Sequence, residues 1–115
     1  PDGLARLGAA MDSLNVRVMV VANNQMGESL RRTVASVQAS PAMRDRVRVL
    51  TGIDFRGVGS PGWAARAVAQ LEADAAAGAV GVGEISKALG LAYRTPDGQR
   101  LRIDDPLLDP VWQAC

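Results

Sequence analysis

The sequence predicts an α/β fold: a partial (β/α)8 barrel with about three parallel strands, flanking helices and a small β-hairpin. Three observations predict it. Runs rich in β-branched residues, at 16–21, 47–53 and 80–85, recur roughly every 31 residues, close to one βα unit of an eight-fold barrel. Helix-patterned segments lie between them, and strands alternating with helices imply a parallel sheet. The runs are apolar on both faces, as expected of strands covered by helices on one side and facing a packed interior on the other.

Leu4, Leu7, Met11 and Leu14 fall at spacings of three and four and make one stripe on a helix over about 3–14. Asn15 stops it, and a strand follows over 16–21. Asn23, Asn24 and Gln25 form a polar loop. Gly27 and Glu28 open a second helix that runs to about Ala39, where Pro41 ends it. The second strand covers 46–53 and a loop covers 54–62. Pro61 suits a helix start, where its missing N–H is unpaired in any case. That third helix reaches about Ala77, with Ala64, Val68, Leu71 and Ala75 on one side and Gly78 past its end. The third strand covers 79–85. A hairpin is expected from Leu91 to Ile103, turning at Thr95-Pro96-Asp97-Gly98. Asp105-Pro106 and Asp109-Pro110 each place an N-capping Asp before a Pro at the first helical position.

Composition narrows the function. The 115 residues, 48% apolar, suffice for one modest core, and with 3% aromatics that core is built from Ala, Val, Leu, Ile and Met. A net charge of +1 with interspersed signs gives no electrostatic case for nucleic acid or an anionic membrane. No segment approaches the ~20 apolar residues of a membrane span. Cys115 is the one cysteine, so no disulfide forms within the chain, and a cytoplasmic setting fits. There is no histidine to act as a base for that thiol.

Two further stretches are more particular: 79–91 (Ala79-Val80-Gly81-Val82-Gly83-Glu84-Ile85-Ser86-Lys87-Ala88-Leu89-Gly90-Leu91) and 104–112 (Asp104-Asp105-Pro106-Leu107-Leu108-Asp109-Pro110-Val111-Trp112). With the opening Asp2-Gly3-Leu4-Ala5-Arg6-Leu7 and with Pro61-Gly62-Trp63, they give the chain a resemblance to the amidohydrolase-related family of metal-dependent TIM-barrel hydrolases and decarboxylases. The resemblance implies that residues 1–115 form a single segment holding strands two, three and four of a parent barrel. In that family a His-x-His pair, a further His and an Asp hold a divalent, zinc-like metal, and none of these ligands falls in this segment. The chain alone is then expected to be inactive, while the parent hydrolyses, or decarboxylates, a small-molecule substrate. Family members often carry Lys at both positions matched here by Glu84 and Lys87, and only Lys87 keeps that pattern.

Glu84 and Lys87 stand at the carboxyl end of the third strand, the catalytic face of such a barrel. They are the candidate catalytic groups and metal contacts, with an ordinary strand-end ion pair as the plainer reading. Asn23 and Asp54 end the earlier strands and are candidate substrate contacts, although Asn and Asp favour loop turns in any case. Gly57, Gly59 and Gly62 spell G-x-G-x-x-G between a strand and a helix, with Glu84 about 20 residues on, which raises a nucleotide-binding α/β module using NAD as an alternative. Asp54-Phe55-Arg56 before the first glycine and the missing N–H of Pro61 count against it. A non-catalytic scaffold or binding protein is the third reading. A wedge of parallel strands leaves open edges, so self-association, or association with the rest of the barrel, is expected.

Overall fold

The computed structural model describes residues 2–85 and 89–115. The first helix, α1 (Asp2–Ser13), packs Met11, 1% exposed, with Leu4 and Leu7 partly buried beside it. It ends at Asn15, whose φ of 54° takes the left-handed turn that Asn tolerates. Strand β1 (Met19–Val21) leads through a short loop into α2 (Gly27–Gln38), which buries Leu30, Val34 and Val37. Strand β2 (Val47–Val49) runs parallel to β1, with Met19 opposite Val47 and Val21 opposite Val49. After a long loop comes α3 (Trp63–Ala76), then α4 (Leu89–Ala92), a 3₁₀ turn (Pro106–Leu108) and α5 (Asp109–Ala114).

The architecture corrects the expected barrel segment. It is mixed α/β, but among the described residues the sheet has two strands of three residues each, β1 and β2. The third run does not form a strand: one isolated parallel bridge joins its Val82 to Thr51, two residues past β2. The hydrogen bonds show why. Val49 O accepts from Val80 N–H at 3.0 Å, and Thr51 O accepts from Gly83 N–H at 2.7 Å. An advance of two residues on the β2 side is therefore met by three on the other. This extra residue breaks the ladder in the manner of a β-bulge, at a stretch where Gly81 and Gly83 add little strand preference. The expected hairpin is likewise reduced to one antiparallel bridge, Arg94 with Arg100, and α4 takes Leu91 and Ala92 out of its first strand. Its turn is closed by Gly98 N–H donating to Thr95 O at 2.9 Å.

The third helix lies where the pattern placed it, but with a rotated face. It buries Trp63, Ala67, Leu71 and Asp74, whereas Ala75 is exposed. Two separate cores result. One gathers Met11, Met43, Val47 and Val49 with the buried side of α2. The other gathers Phe55, Trp63, Leu71, Leu101, Leu108 and Val111. Phe55 stacks on Trp63 with ring centres 6.4 Å apart and meets Tyr93 at 5.5 Å, so three of the few aromatic rings define the second core.

Candidate functional site

The loops that follow β1 and β2 meet at one end of the sheet. Gly52 N–H donates to Gln25 O at 3.0 Å, and a Cβ on Gly52 would sit 3.1 Å from the backbone of Asn24. A side chain at 52 would press on the Asn24 backbone and push the two loops apart by a few tenths of an ångström. Beneath them lies Asp74, 1% exposed, projecting from the buried side of α3. Its Oδ1 accepts from Gly27 N–H at 2.9 Å and its Oδ2 from the Thr51 hydroxyl at 2.7 Å; the Gln70 side-chain amide also donates to Oδ2.

Met26 at the N-cap of α2 offers no side-chain oxygen to the first turn. Asp74 supplies that acceptor from a different helix, 47 residues away. Its negative charge sits at the positive end of the α2 dipole, which offsets part of the cost of burying a carboxylate. One side chain in the last turn of α3 thus fastens the start of α2 and Thr51, two residues past β2. The sequence reading missed it, because the stripe was drawn through Leu71 and Ala75. The available signal was that Asp74 falls three residues after Leu71 and seven after Ala67, so the buried stripe carries a charge.

Asp54, on the loop after β2, is drawn into a local clamp. Its carboxylate accepts from Arg56 N–H at 3.0 Å, from Arg56 Nε at 2.8 Å and from Arg56 Nη2 at 2.6 Å. These hydrogen bonds hold the Asp54 carboxyl below its usual value against a smaller opposing effect of burial, and they raise the Arg56 guanidinium in turn. The Asp54 carbonyl accepts from the Trp63 indole N–H at 2.9 Å. Asp54 is therefore a strut between its own loop and α3.

Asn23 is exposed on the loop after β1, and Glu84 is exposed beyond the Val82 bridge. Asn23 thus follows β1, whereas Glu84 follows a run that forms no strand. Lys87 lies outside the described residues. What the structure gathers tightly is a different set: Gln25, Thr51, Gly52, Gln70 and Asp74. Among the described residues, the buried side-chain oxygens of Asn24, Gln25 and Gln70 accept no hydrogen bond from protein.

A divalent metal finds no ligand set here. Among the described residues no three His, Cys, Asp or Glu side chains lie together. The acids that are close to other groups are already held, Asp54 by Arg56 and Asp74 by three donors. The glycine loop also has a structural use. Gly57, Gly59 and Gly62 have φ of 73°, 80° and 76°, and the direction in which a Gly59 Cβ would point is filled by Pro96 at 2.6 Å and Leu107 at 3.4 Å. The bend is the seat of the 95–98 turn. Among the described residues, no helix is long and apolar enough to cross a membrane. The chain matches no family model, no curated protein and no solved structure.

Proposed function

We propose that this chain is a segment of a metal-dependent hydrolase of the amidohydrolase-related kind, in which it supplies scaffold and a stretch of pocket wall. One observation carries the reading. Three of the four stretches on which the resemblance rests share a core: Trp63, at the start of α3, packs with Leu89 and with Leu108 and Val111 from the Asp-Asp-Pro stretch, while Leu4 and Leu7 of the opening belong to the other core. Asp105 O accepts from Leu108 N–H at 2.9 Å, and its carboxylate caps Leu107 N–H at 3.0 Å. The text that carries the likeness is structural text.

In this proposal the divalent metal is held by residues beyond the segment, and the chain alone does not turn over a small-molecule substrate. Asn23 and Glu84, with Lys87, edge the pocket, and Asp54 braces the loop beside them. The bare side of the sheet packs against the remainder of the enzyme or against another copy. A cytoplasmic setting suits a chain with a single thiol.

Expression of the whole reading frame that contains this sequence tests the proposal. The expected product carries a His-x-His ahead of the segment, binds about one or two divalent ions and hydrolyses an amide or ester, an activity that a chelator removes. A reading frame with no such histidines, or a product that hydrolyses equally well after chelation, overturns it.

A further inference from the structure

The hairpin places two like charges where a β-ribbon brings side chains closest. Thr95 N–H donates to Gln99 O at 2.9 Å and Leu101 N–H to Tyr93 O at 3.1 Å. These bonds flank the Arg94–Arg100 bridge, so this pair exchanges no backbone hydrogen bonds of its own. In an antiparallel pair such non-hydrogen-bonded partners have the shorter Cα separation, about 4.5 Å, and their side chains leave the same face. Like charges at that position repel. Both arginines are exposed, and neither makes a hydrogen bond or ion pair with another described residue.

The nearby acids are already committed. Asp104 holds Arg102 through two bonds of 2.8 Å, and Asp97 accepts from the Thr95 hydroxyl within the turn. Nothing on the hairpin neutralises Arg94 and Arg100. Two guanidinium groups leaving the same face of the ribbon offer a charge of +2 and several N–H donors. That matches a tetrahedral oxyanion carrying close to two negative charges better than a single carboxylate.

We propose that Arg94 and Arg100 form a binding site for a phosphate dianion, either free or as the monoester end of a small molecule. The site stands apart from the strand-end loops and does not depend on the hydrolase reading. Arg102 takes no direct part, because Asp104 already occupies its fork.

The test is calorimetric titration of the purified chain with inorganic phosphate and, separately, with a small alkyl phosphate monoester, against sodium chloride at matched ionic strength. Binding of either phosphate, weakened at least tenfold in Arg94→Gln and in Arg100→Gln and unchanged in Arg102→Gln, supports the site. Binding of the monoester alone assigns it to a phosphorylated ligand. The charge reversal Arg100→Glu separates loss of the site from loss of fold: it pairs with Arg94 across the ribbon, so thermal stability holds or rises while phosphate binding disappears. No binding of either phosphate, a heat no greater than that of the chloride control, or retained binding in Arg100→Glu overturns the proposal.

Discussion

Asp74 is the residue on which the sheet end depends. Replacing it with Ala leaves Gly27 N–H without its acceptor and takes from the Thr51 hydroxyl its shortest and only charged one, leaving it the longer contacts to Gln25 O and Gly52 O, and hydrogen bonds to a charged group are each worth about 1.5–3 kcal/mol. Asp74→Ala is expected to lower stability by about 3 kcal/mol, and Thr51→Val by about 1 kcal/mol, measured by urea unfolding. Equal, small losses from both would show that the carboxylate does not anchor α2. Three less buried acids act differently. Asp54, Asp97 and Asp104 are all held below the ordinary value of 3.8, through bonds from Arg56, Thr95 and Arg102 respectively. A carboxylate depressed on folding lends stability that is fully present above its unfolded value and is lost as pH falls through its folded one. Melting temperature is therefore expected to hold from neutral pH down to about pH 4 and to fall below it. In Arg56→Gln the fall should be shallower, because Asp54 then loses the largest cause of its depression, the guanidinium hydrogen bonds. That Asn23, Asp54 and Glu84 each follow an apolar run is readable from the sequence, but the strands are shorter than those runs: β2 ends at Val49, five residues before Asp54, and the run before Glu84 forms no strand. The bonds that fasten Asp54 to Arg56 were not readable, because they depend on how a loop curls back two residues later. Asp74 was hidden for a different reason, a helical stripe drawn one position out of phase.

At the scale of elements, the glycine loop shows most clearly what local sequence does and does not determine. G-x-G-x-x-G announces a bend with left-handed residues, and that bend is present. Its neighbour is Pro96, some 35 residues on, and no local pattern could supply that contact. Gly59→Ala combines a φ of 80° with a Cβ that would lie 2.6 Å from the Pro96 ring. A cost of about 2–3 kcal/mol is expected from unfolding curves. Gly98→Ala has a similar φ of 83° but open space around the new methyl, so only the backbone term of about 1 kcal/mol should appear. Equal costs at the two positions would mean that the turn does not press on the loop. The first three helices are legible because their stripes and the Asn15 and Gly78 stops are local signals, and Asp105 caps the 3₁₀ turn as its Asp-Pro pair suggests; Asp109 instead lies inside α5, whose N-cap is Leu108, and its side chain makes no cap bond, and α4 has no such signal. The strands were over-read. An apolar run is only permission to pair, and pairing needs a matching backbone register, which the extra residue before Gly83 disrupts.

For the whole molecule, shape carries the argument. The Cα radius of gyration is 16.5 Å and the longest extent is 51 Å against 25 and 22 Å for the other two. A compact chain of this length has a radius of about 13 Å. The elongation follows from two cores placed end to end and from a sheet covered on one side. Met19 and Val21 turn towards the first core, while Val18 and Val20 between and beside them remain 45% and 52% exposed. Among the described residues β1 also has no strand on its outer edge, and a two-stranded ribbon is of marginal stability unless something packs on it. Covering those two valines in each of two copies is worth roughly 1 kcal/mol per side chain. This barely offsets the loss of freedom on association, estimated at about 4 kcal/mol or more. Self-association of the isolated chain should therefore be weak and concentration-dependent, not a fixed dimer. Light scattering across a dilution series is expected to show the weight-average mass rising above that of one chain only at high concentration. Val20→Asp should hold the mass at one chain throughout, because an unpaired carboxylate at the contact is costly to desolvate. A wild-type mass that never departs from one chain, or a mass that rises equally in Val20→Asp, would show that this face is not the contact.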